Sequence, residues 1–433
     1  MKSNSKNNFE KVKLVLKKLE KKDTIVNIPG SKSISHRVLI CASLAAGKSQ
    51  IENLLESEDI KHTMSALCKM GADIKEKNKK IVEIKGFNGS PQAFTKPIYL
   101  GNSGTSMRLL AGVAALGNSP YILTGDKRMQ QRPMGDLLNA LKTVGISARS
   151  EEYDDNNTPP IKIQGGIRKG GKVLLDCSES SQYLSSLLMT GAFFKHGLTI
   201  SLPFPAVSAP YIDLTLDIMK KFSVHAEKIN DLKYHVSGGQ KYCSGKFTIE
   251  PDISNASYFW AAGAITQKMV RIANVSPNSL QGDLRFLDIL KQMGCLIEFN
   301  ADSAGVKGSD NLKSIEADMS DIPDVVPTLA VIAGFAKGKT VIKNIGHLRT
   351  KECDRIDAVV SQLNKMGIKA EQGDTWLQVQ GGSPKPACIE TFNDHRIAMA
   401  FAVAGLMVDD IKIENPGCVA KSFPEFWKIF DQF

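Results

Sequence analysis

The sequence predicts an α/β fold built from one unit of strands and helices that is repeated six times. The clearest sign is a phrase in which a helix end is followed by Gly and then by a strand. It first appears around Gly71 and recurs at positions 145, 223, 294 and 367, with Ser223 once replacing the glycine. The spacings are 74, 78, 71 and 73 residues. A glycine just past the last helical turn is typical of a helix that ends there and leads into a strand.

Around each phrase the sequence reads as strand, polar turn, apolar helix, strand, loop, amphipathic helix and two further strands. The repeats begin near Thr24, Lys96, Gly171, Gly245, Leu312 and Ala387. The sixth repeat stops after its second helix, Phe423 to Phe430. We expect the N-terminal strand around Lys11–Leu19 to replace its missing strands and to close the chain on itself.

The first helix of every repeat opens on polar residues. These openings are Ser31-Lys32-Ser33, Asn102-Ser103-Gly104-Thr105, Glu179-Ser180-Ser181-Gln182, Asp252-Ile253-Ser254-Asn255, Asp321-Ile322-Pro323-Asp324 and Asn393-Asp394-His395-Arg396. Helix capping explains the Ser, Thr, Asn and Asp residues. It does not explain Lys32, Gln182, His395 or Arg396. A helix start with a cation beside it favours a bound anion, so we expect these helix starts to converge on an anionic ligand.

The net charge of +10 is concentrated at the N-terminus. Residues 1–22 hold eight lysines and two glutamates, which gives +6, and the other 411 residues carry only +4. A protein that follows a phosphate backbone needs a basic face along it. The charge distribution therefore argues against a nucleic-acid partner.

Composition indicates a cytoplasmic chain of two or three domains. The sequence has no run of about 18 apolar residues and no apolar segment at its start, so we expect neither a membrane span nor a secretory signal. Its eight cysteines show no C-x-x-C spacing, which is typical of reduced thiols in the cytosol. The seven histidines show no ligand spacing, so we expect no metal.

The second repeat supplies a glycine-rich turn and two arginines. Gly101 and Gly104 would let backbone amides approach a ligand closely. Arg132 follows Arg128 by four residues and stands just before a helix start. A planar guanidinium at that place suits a carboxylate or a phosphate.

The fifth repeat holds the densest group of charges. With Thr350 as a helix cap, Lys351 and Arg355 would lie at i and i+4 on one helix face, with Glu352 one step round. Taken alone, this segment is equally consistent with a solvated helix start whose charges pair among themselves.

Asp324 stands directly before an apolar helix, Val325 to Phe335. We expect its carboxyl group to be partly buried. Burial raises the pKa of a carboxyl group, which suits a general base.

Seven motifs along the chain resemble those of one enzyme family. They are Pro29-Gly-Ser-Lys-Ser-Ile-Ser-His-Arg37, Gly101-Asn-Ser-Gly-Thr-Ser-Met-Arg108, Arg128-Met-Gln-Gln-Arg-Pro133, Ser180-Ser-Gln182, Arg349-Thr-Lys-Glu-Cys-Asp-Arg355, Asp394-His-Arg396 and Lys421-Ser-Phe-Pro424. In this order they are similar to the motifs of the 3-phosphoshikimate 1-carboxyvinyltransferases, also called 5-enolpyruvylshikimate-3-phosphate (EPSP) synthases. The resemblance runs from about Ile25 to Phe430.

The resemblance implies two similar domains, each an inside-out α/β barrel of three βαβαββ repeats, with the active site in the cleft between them. One domain would comprise residues 1–28 and 246–433, which are repeats four to six closed by the N-terminal strand. The other would comprise residues 29–245, which are repeats one to three. The chain would cross between them near Ile28–Pro29 and Gly245–Phe247.

The resemblance also implies a reaction, the transfer of the enolpyruvyl group of phosphoenolpyruvate to the 5-hydroxyl of shikimate 3-phosphate. Phosphate is released by way of a tetrahedral intermediate, in the shikimate pathway to aromatic amino acids. The implied catalytic residues are Asp324, which would take the 5-hydroxyl proton, Glu352, which would exchange protons with the methylene carbon, and Lys32. The residues implied to hold shikimate 3-phosphate are Lys32, Ser33, Arg37, Ser180, Ser181, Gln182, Ser208, Tyr211, Asp324, His347 and Lys351. Those implied to hold phosphoenolpyruvate are Lys32, Gly104, Arg132, Gln182, Arg355, His395, Arg396 and Lys421.

The family requires no metal or organic cofactor, and its partners are these two small molecules. A monomer is expected, with no nucleic acid or membrane partner. In the family a glycine at the position of Gly104 leaves room for glyphosate, an inhibitor that competes with phosphoenolpyruvate. Five positions depart from the usual pattern: His347 replaces Asn, Leu109 replaces Pro, Ser103 and Ser106 replace Ala, and Cys353 replaces Thr.

Three other functions fit the sequence less well. The sister enzyme that acts on UDP-N-acetylglucosamine shares the fold but uses a Lys-Asn pair and a loop cysteine. Here the pair is Lys32-Ser33, and the loop 127–132 contains no Cys. A nucleic-acid-binding protein with related repeats conflicts with the charge distribution. An inactive binding paralogue would lack chemical residues that are all present here.

Overall fold

The computed structural model describes residues 12–13, 23–78, 81–151, 157–166 and 168–432. Within these residues the strands form six small sheets, five of four strands and one of three. Each sheet corresponds to one of the six repeats, which confirms the α/β fold expected from the sequence.

The strands, in chain order, are β1 (Val12–Lys13), β2 (Asp23–Val26), β3 (Lys48–Glu52), β4 (Asp73–Asn78), β5 (Ile81–Lys85), β6 (Ile98–Tyr99), β7 (Tyr121–Thr124), β8 (Ser147–Ser150), β9 (Ile161–Gln164), β10 (Gly171–Leu174), β11 (Leu198–Ser201), β12 (Ala226–Asn230), β13 (Lys233–Val236), β14 (Lys246–Thr248), β15 (Met269–Ala273), β16 (Leu296–Asn300), β17 (Ser303–Lys307), β18 (Glu316–Asp318), β19 (Lys339–Lys343), β20 (Ala370–Gln372), β21 (Leu377–Gln380), β22 (Cys388–Ile389) and β23 (Lys412–Ile413).

The α-helices are α1 (Lys32–Leu44), α2 (Glu58–Lys69), α3 (Gly104–Ala114), α4 (Gly135–Thr143), α5 (Gln182–Gly191), α6 (Pro210–Lys221), α7 (Ile253–Thr266), α8 (Phe286–Gln292), α9 (Val326–Ala333), α10 (Arg355–Lys365), α11 (His395–Ala404) and α12 (Phe426–Phe430). Short 3-10 helices cover Met129–Gln131, Gly282–Arg285, Pro323–Val325, Gly346–Thr350 and Pro416–Lys421.

All five four-stranded sheets share one strand order. In the second repeat β6 runs parallel to β7, β7 pairs antiparallel with β9, and β9 pairs antiparallel with β8. Parallel neighbours need a crossover, which α3 provides, whereas antiparallel neighbours such as β8 and β9 need none. The order of strands in space therefore follows from the alternation of helices and strands that the sequence shows.

The first helix of each repeat is apolar on nearly all sides. In α7 and α9, for example, nearly every residue is buried, including Trp260 and Leu329. Such a helix must be covered on all sides. Accordingly α7, α9 and α11 contact one another, and α3 contacts α1 and α5. The helices thus lie inside, and each second helix, such as α2 or α10, buries one face only.

Five helix ends carry the left-handed residue that the repeated phrase predicts. The φ angles are +103° at Gly71, +89° at Gly145, +66° at Ser223, +93° at Gly294 and +75° at Gly367. Glycine adopts this conformation without steric cost, whereas the Cβ of Ser223 makes it unfavourable there.

Repeats one and four exchange their first strands. Strand β2 is the first strand of repeat one along the chain but pairs in parallel with β15 of repeat four, with Val26 opposite Ile272. Strand β14 is the first strand of repeat four along the chain but pairs in parallel with β3 of repeat one, with Phe247 opposite Ile51. Each sheet therefore receives its first strand from a distant part of the chain.

The described chain divides into two compact units. The N-terminal unit comprises Pro29–Asp252 and Ser279–Gly282, and the C-terminal unit comprises the described residues of Met1–Ile28, Ile253–Asn278 and Asp283–Phe433. Each has its own hydrophobic core. Residues 246–252, which the sequence-based division assigned to the other domain, lie in the N-terminal unit because β14 pairs with β3.

The sheet of the sixth repeat is completed from the N-terminus. Val12 pairs with Ile413 and Lys13 with Lys412, antiparallel to β23. The other residues of the expected strand, 11 and 14–19, lie outside the described residues. No helix in the described part of the chain is both long and apolar enough to cross a membrane.

Candidate active site

Charged residues from the helix starts of repeats five and six meet in the C-terminal unit. Asp324 lies in the 3-10 helix before α9, and Glu352 lies three residues before α10, which begins at Arg355. Arg396 lies in the first turn of α11, and Lys421 ends the last 3-10 helix. The apolar helices α9 and α11 are buried along their length and pack against each other. The polar residues at their starts therefore lie close together.

Arg355 is the centre of this group. It is 2% exposed. Its Nε donates to Asp394 Oδ2 at 2.7 Å, Nη1 to Asp324 Oδ1 at 3.2 Å and Nη2 to Glu352 Oε2 at 2.8 Å. Burial alone lowers the pKa of Arg355, but the carboxylates of Asp394, Glu352 and Asp324 together raise it above its usual value. The guanidinium is therefore a fixed cation whose position is set by three carboxylates.

Arg396 holds the other oxygen of Asp324. Its Nη2 donates to Asp324 Oδ2 at 2.6 Å, and its Nη1 lies 3.5 Å from the Tyr258 hydroxyl. Asp324 is 22% exposed at its side chain, which agrees with the expected partial burial. The two arginines favour its ionised form and so act against the effect of burial. Asp324 therefore points a charged, accessible carboxylate between two guanidinium groups.

Asp394 contacts both arginines of this cluster. It caps α11, accepting from the Arg396 backbone N–H at 2.8 Å, and it also accepts from Arg355. His395 Nδ1 lies 3.6 Å from Asp394, and both side chains are fully buried. The sequence predicts Asp394 as a helix cap, but it does not predict the bond from Arg355. Tyr258 was missed entirely, because it lies inside the uniformly apolar helix α7.

Glu352 has a neighbour that the sequence analysis did not foresee. Besides Arg355, Lys421 Nζ lies 3.8 Å from Glu352 Oε1, and both of these side chains are 9% exposed. Two cations beside a nearly buried carboxylate stabilise its charged form.

The predicted helical pair of Lys351 and Arg355 is wrong. Helix α10 begins at Arg355 and is capped by Asp354, whose Oδ1 accepts from Asp357 N at 3.1 Å. Thr350 ends the preceding 3-10 helix, and its hydroxyl donates to the His347 carbonyl. Lys351 therefore lies before the helix, not on its face.

His347 is buried close to these charges. Burial, reinforced by Lys351, lowers the pKa of His347 to about 3, although Asp324 acts in the opposite direction. Its imidazole is therefore neutral. Its Nε2 is buried and has no hydrogen-bond partner among the described residues, so this atom can form a hydrogen bond with a ligand.

In the N-terminal unit Arg37 organises a second group. It is buried, and its Nε donates to Thr215 Oγ1 at 2.7 Å, while Nη1 donates to the Ser33 carbonyl at 2.9 Å. Its Nη2 donates to the Tyr211 carbonyl at 3.2 Å and to Ser185 Oγ at 3.3 Å. Burial lowers the pKa of Arg37 to about 10, which leaves it charged at neutral pH. Three residues assigned to shikimate 3-phosphate, Ser33, Arg37 and Tyr211, are thus in contact.

Lys32 stands at the first position of α1, after the capping residue Ser31. Its backbone N–H donates to Asp252 Oδ2 at 2.7 Å, so the end of the exchanged strand β14 leads to a cap on the helix of repeat one. Its ammonium lies 3.6 Å from Asp59 Oδ2.

Gly104 and Arg132 lie against each other. An added Cβ on Gly104 would come within 2.6 Å of Arg132 Nη2. Arg132 Nη1 donates to the Asn102 side chain at 3.3 Å and to its carbonyl at 3.4 Å. Glycine at 104 therefore leaves the space that the guanidinium occupies.

Gln182 begins α5, and its side-chain amide makes hydrogen bonds through both its oxygen and its nitrogen. Its Oε1 accepts from Arg108 at 3.0 Å, and its Nε2 donates to Thr105 at 2.9 Å. Ser180 Oγ accepts from the Gln182 backbone at 3.3 Å, and Ser181 precedes the helix. Ser208, before α6, has a left-handed φ of +55°.

Comparison with known proteins gives one consistent answer. A family model described as EPSP synthase (3-phosphoshikimate 1-carboxyvinyltransferase) matches residues 16–430. The 3-phosphoshikimate 1-carboxyvinyltransferase of Aliivibrio salmonicida is 40% identical over 419 residues, which is 96% of this chain and 97% of the relative. That of a Nostoc species is 39% identical over 409 residues, covering 94% and 96%. An EPSP synthase structure from Acinetobacter baumannii, with 29% identity, superposes with a TM-score of 0.80 over 98% of this chain and 97% of the other.

Proposed function

The chain belongs to the EPSP synthase family, and on that premise we propose how its residues divide the work of the enolpyruvyl transfer. The enzyme is a transferase of the shikimate pathway and acts on phosphoenolpyruvate and shikimate 3-phosphate. The observation that carries the division of roles is the buried cluster of carboxylates and cations in the C-terminal unit, Asp324, Glu352, Arg355, Arg396 and Lys421.

Asp324 is the general base of the proposal. It takes the proton of the 5-hydroxyl while that oxygen bonds to C2 of phosphoenolpyruvate, and Glu352 gives a proton to C3, which becomes a methyl group. In the resulting tetrahedral intermediate Glu352 takes a methyl proton back, the C2–O bond to the phosphoryl group breaks, and phosphate leaves. A carboxylate that is accessible at one edge and oriented by two guanidinium groups supports this role.

Glu352 must be protonated when it acts as an acid. Arg355 and Lys421 oppose this in the structure as it stands. Bound substrate anions would weaken the effect of both cations, so the protonation of Glu352 depends on substrate binding.

The proposal assigns to phosphoenolpyruvate two groups of side chains, one in each unit. In the C-terminal unit these are Arg355, Arg396, Lys421 and His395; in the N-terminal unit they are Lys32, Gly104, Arg132 and Gln182. Arg355 and Arg396 now both bond Asp324, so a substrate carboxylate would compete with Asp324 for these two groups. Arg355 stays in place through its buried bonds to Asp394.

Shikimate 3-phosphate is assigned to the cluster around Arg37 and to the polar residues near Asp324. These residues are Lys32, Ser33, Arg37, Ser180, Ser181, Gln182, Ser208, Tyr211, Asp324, His347 and Lys351. The two substrates together bring about four to five negative charges, and each contact of opposite charges at ~4 Å contributes ~1–4 kcal/mol. The fixed cations listed for both sites support the binding of such a pair.

We propose in addition that the enzyme acts as a monomer in the cytoplasm and needs no cofactor. It binds glyphosate in place of phosphoenolpyruvate. The absence of paired cysteine spacing and the charge of +4 outside residues 1–22 support this setting. Glyphosate binding is supported by Gly104, whose missing Cβ lets the Arg132 guanidinium lie directly against it.

Phosphate release tests the function directly. Purified protein should release phosphate only when both shikimate 3-phosphate and phosphoenolpyruvate are present. Replacing shikimate 3-phosphate by UDP-N-acetylglucosamine should give no release. Release with the nucleotide sugar, or with phosphoenolpyruvate alone, would contradict the proposal.

A further inference from the structure

Four buried polar side chains form a continuous chain of hydrogen bonds through the N-terminal unit. His36 Nδ1 on α1 lies 2.8 Å from Thr63 Oγ1 on α2. Thr63 Oγ1 lies 2.7 Å from Ser106 Oγ, and Ser106 Oγ lies 2.6 Å from Ser103 Oγ, at the start of α3. All four residues are fully buried.

One arrangement of protons satisfies every contact. Ser106 Oγ lies 3.3 Å from the Asp59 carbonyl, which can only accept, so the single hydroxyl proton of Ser106 goes there. Ser106 Oγ must then accept from both Ser103 and Thr63. Thr63, having donated, accepts from His36 Nδ1–H. Ser103 Oγ in turn accepts from the Ser106 backbone N–H. All three hydroxyl groups and His36 Nδ1 are thereby paired, and such buried hydrogen bonds fix the geometry of the groups that make them.

The end of this chain lies beside the proposed phosphoenolpyruvate residues. Ser103 stands between Asn102, which accepts from Arg132, and Gly104, against which Arg132 packs. Any shift of Ser103 therefore moves both neighbours of the Arg132 guanidinium.

The same network also reaches Lys32. Asp59 accepts from Ser106 through its carbonyl and faces Lys32 through its carboxylate, at 3.6 Å. Helix α2 thus connects two cations that the proposed function assigns to phosphoenolpyruvate.

We propose that Thr63 is a positioning residue for phosphoenolpyruvate. Its hydroxyl joins α1, α2 and the start of α3, and thereby holds Gly104 and Arg132 where the substrate meets them. The inference rests on the proposed function. Thr63 acts through Ser106 and Ser103, so its loss changes the fit of one substrate more than that of the other.

Two substitutions at this position separate the hydroxyl from the bulk of the side chain. Thr63→Val keeps the shape and removes the hydrogen bonds, whereas Thr63→Ser keeps the hydroxyl. We expect Thr63→Val to raise the KM for phosphoenolpyruvate about tenfold, because it leaves buried partners unpaired. The KM for shikimate 3-phosphate should stay within about twofold. Thr63→Ser should behave like the unmodified enzyme in both constants.

Hydrogen exchange gives a readout that needs no turnover. Amide protection across residues 101–108 should fall in Thr63→Val and persist in Thr63→Ser. NMR of the His36 ring should show the Nδ1–H tautomer in the unmodified protein. If the unmodified protein released no phosphate, the proposed function would fail, while these measurements would still decide whether Thr63 orders the loop.

Two results would overturn the inference. One is equal behaviour of the Val and Ser variants in kinetics and in exchange. The other is a parallel rise of both KM values in the Val variant, which would indicate general loosening. If Thr63→Val does not fold, Ser106→Ala interrupts the same chain at its next member and is read by the same criteria.

Discussion

Asp324 is the residue on which the proposed chemistry depends most directly. Its carboxylate accepts from Arg355 at 3.2 Å and from Arg396 at 2.6 Å. Asp324→Asn keeps the shape of the side chain but removes the proton acceptor. We expect kcat to fall by at least about 10²–10⁴-fold, while the dissociation constant of shikimate 3-phosphate changes only a few fold. Steady-state kinetics and calorimetric titration measure the two quantities.

A surface carboxylate provides the control for this variant. Asp318 is exposed on β18 and bonds Asn344 and Ser320. Asp318→Asn should leave kcat unchanged. A near-normal kcat in Asp324→Asn would remove Asp324 from the role of base.

His347 makes the stability of the protein depend on pH. Burial, and then Lys351, lower the pKa of His347 from 6.5 to about 3. Between these values the unfolded chain binds a proton that the folded chain does not. The contribution of the neutral imidazole is therefore present above pH 6.5 and is lost as the pH falls towards 3, by on the order of 5 kcal/mol in all.

Replacing His347 by Asn should flatten this acid dependence. The free energy of unfolding, measured by denaturant titration at several pH values between 7 and 4, should decline less steeply in His347→Asn. His225 lies on the surface, so His225→Asn should keep the original slope. Equal slopes in all three proteins would mean that His347 is protonated in the folded state.

The sequence predicts which charged residues gather around Asp324, but it does not predict which of them contact each other. Arg355 and Arg396 belong to two of the motifs, and Asp324 stands before an apolar helix; the three do lie together, but their catalytic roles stay predictions. The bond between Arg355 and Asp394 joins residues 39 apart, and no local pattern shows it. Lys351 was misplaced because charges four residues apart resemble a helix face even where the helix has not begun.

At the scale of elements, the start of α3 determines the space beside Arg132. Gly104→Ala would place a Cβ within 2.6 Å of Arg132 Nη2 and force the guanidinium to move. We expect glyphosate to inhibit the unmodified enzyme in the micromolar range. In Gly104→Ala inhibition should weaken strongly, and the KM for phosphoenolpyruvate should rise several fold.

Gly135→Ala is the matched control for this variant, because a Cβ there comes no closer than 3.4 Å to its neighbours. It should leave inhibition unchanged. If the unmodified enzyme resisted glyphosate, the buried Leu109 or the serines at 103 and 106 would have reshaped the site.

The end of α6 offers a test of the repeated phrase. Ser223 is exposed and has a φ of +66°, where the other four helix ends have glycine. Ser223→Gly should stabilise the protein by about 0.5–1 kcal/mol, since it relieves the Cβ strain. Gly294→Ser, the reverse change at the corresponding position, should destabilise it by a similar amount. Thermal or denaturant unfolding measures both; a loss of stability in Ser223→Gly would show that the serine makes a compensating contact.

Most helices and strands could be predicted because each repeat shows the same succession of strand-like and helical hydrophobic patterns. In five repeats a glycine, or Ser223 in its place, also marks the end of the second helix. The exchange of first strands could not. Strands β2 and β14 have similar lengths and patterns, and each stands where the first strand of its own repeat would stand. Which sheet receives them is decided by pairing with β15 and β3, which lie about 200 residues away along the chain or further. Such pairing leaves no mark on the local sequence.

At the scale of the whole molecule, this exchange decides where the chain can be divided. A fragment of residues 29–252 keeps β14 beside β3, whereas a fragment of residues 29–245 loses it. The shorter fragment also loses Phe247, which stacks on Phe222 at 3.8 Å between ring centroids, and Ile249, which is 1% exposed. It further leaves the edge of β3 open to association. We expect the longer fragment to unfold cooperatively and the shorter one to be less stable by at least ~3 kcal/mol and to aggregate. Lys246→Ala in the longer fragment, at an exposed position on the same strand, should change neither property. Equal stability of the two fragments would place the boundary before β14 instead.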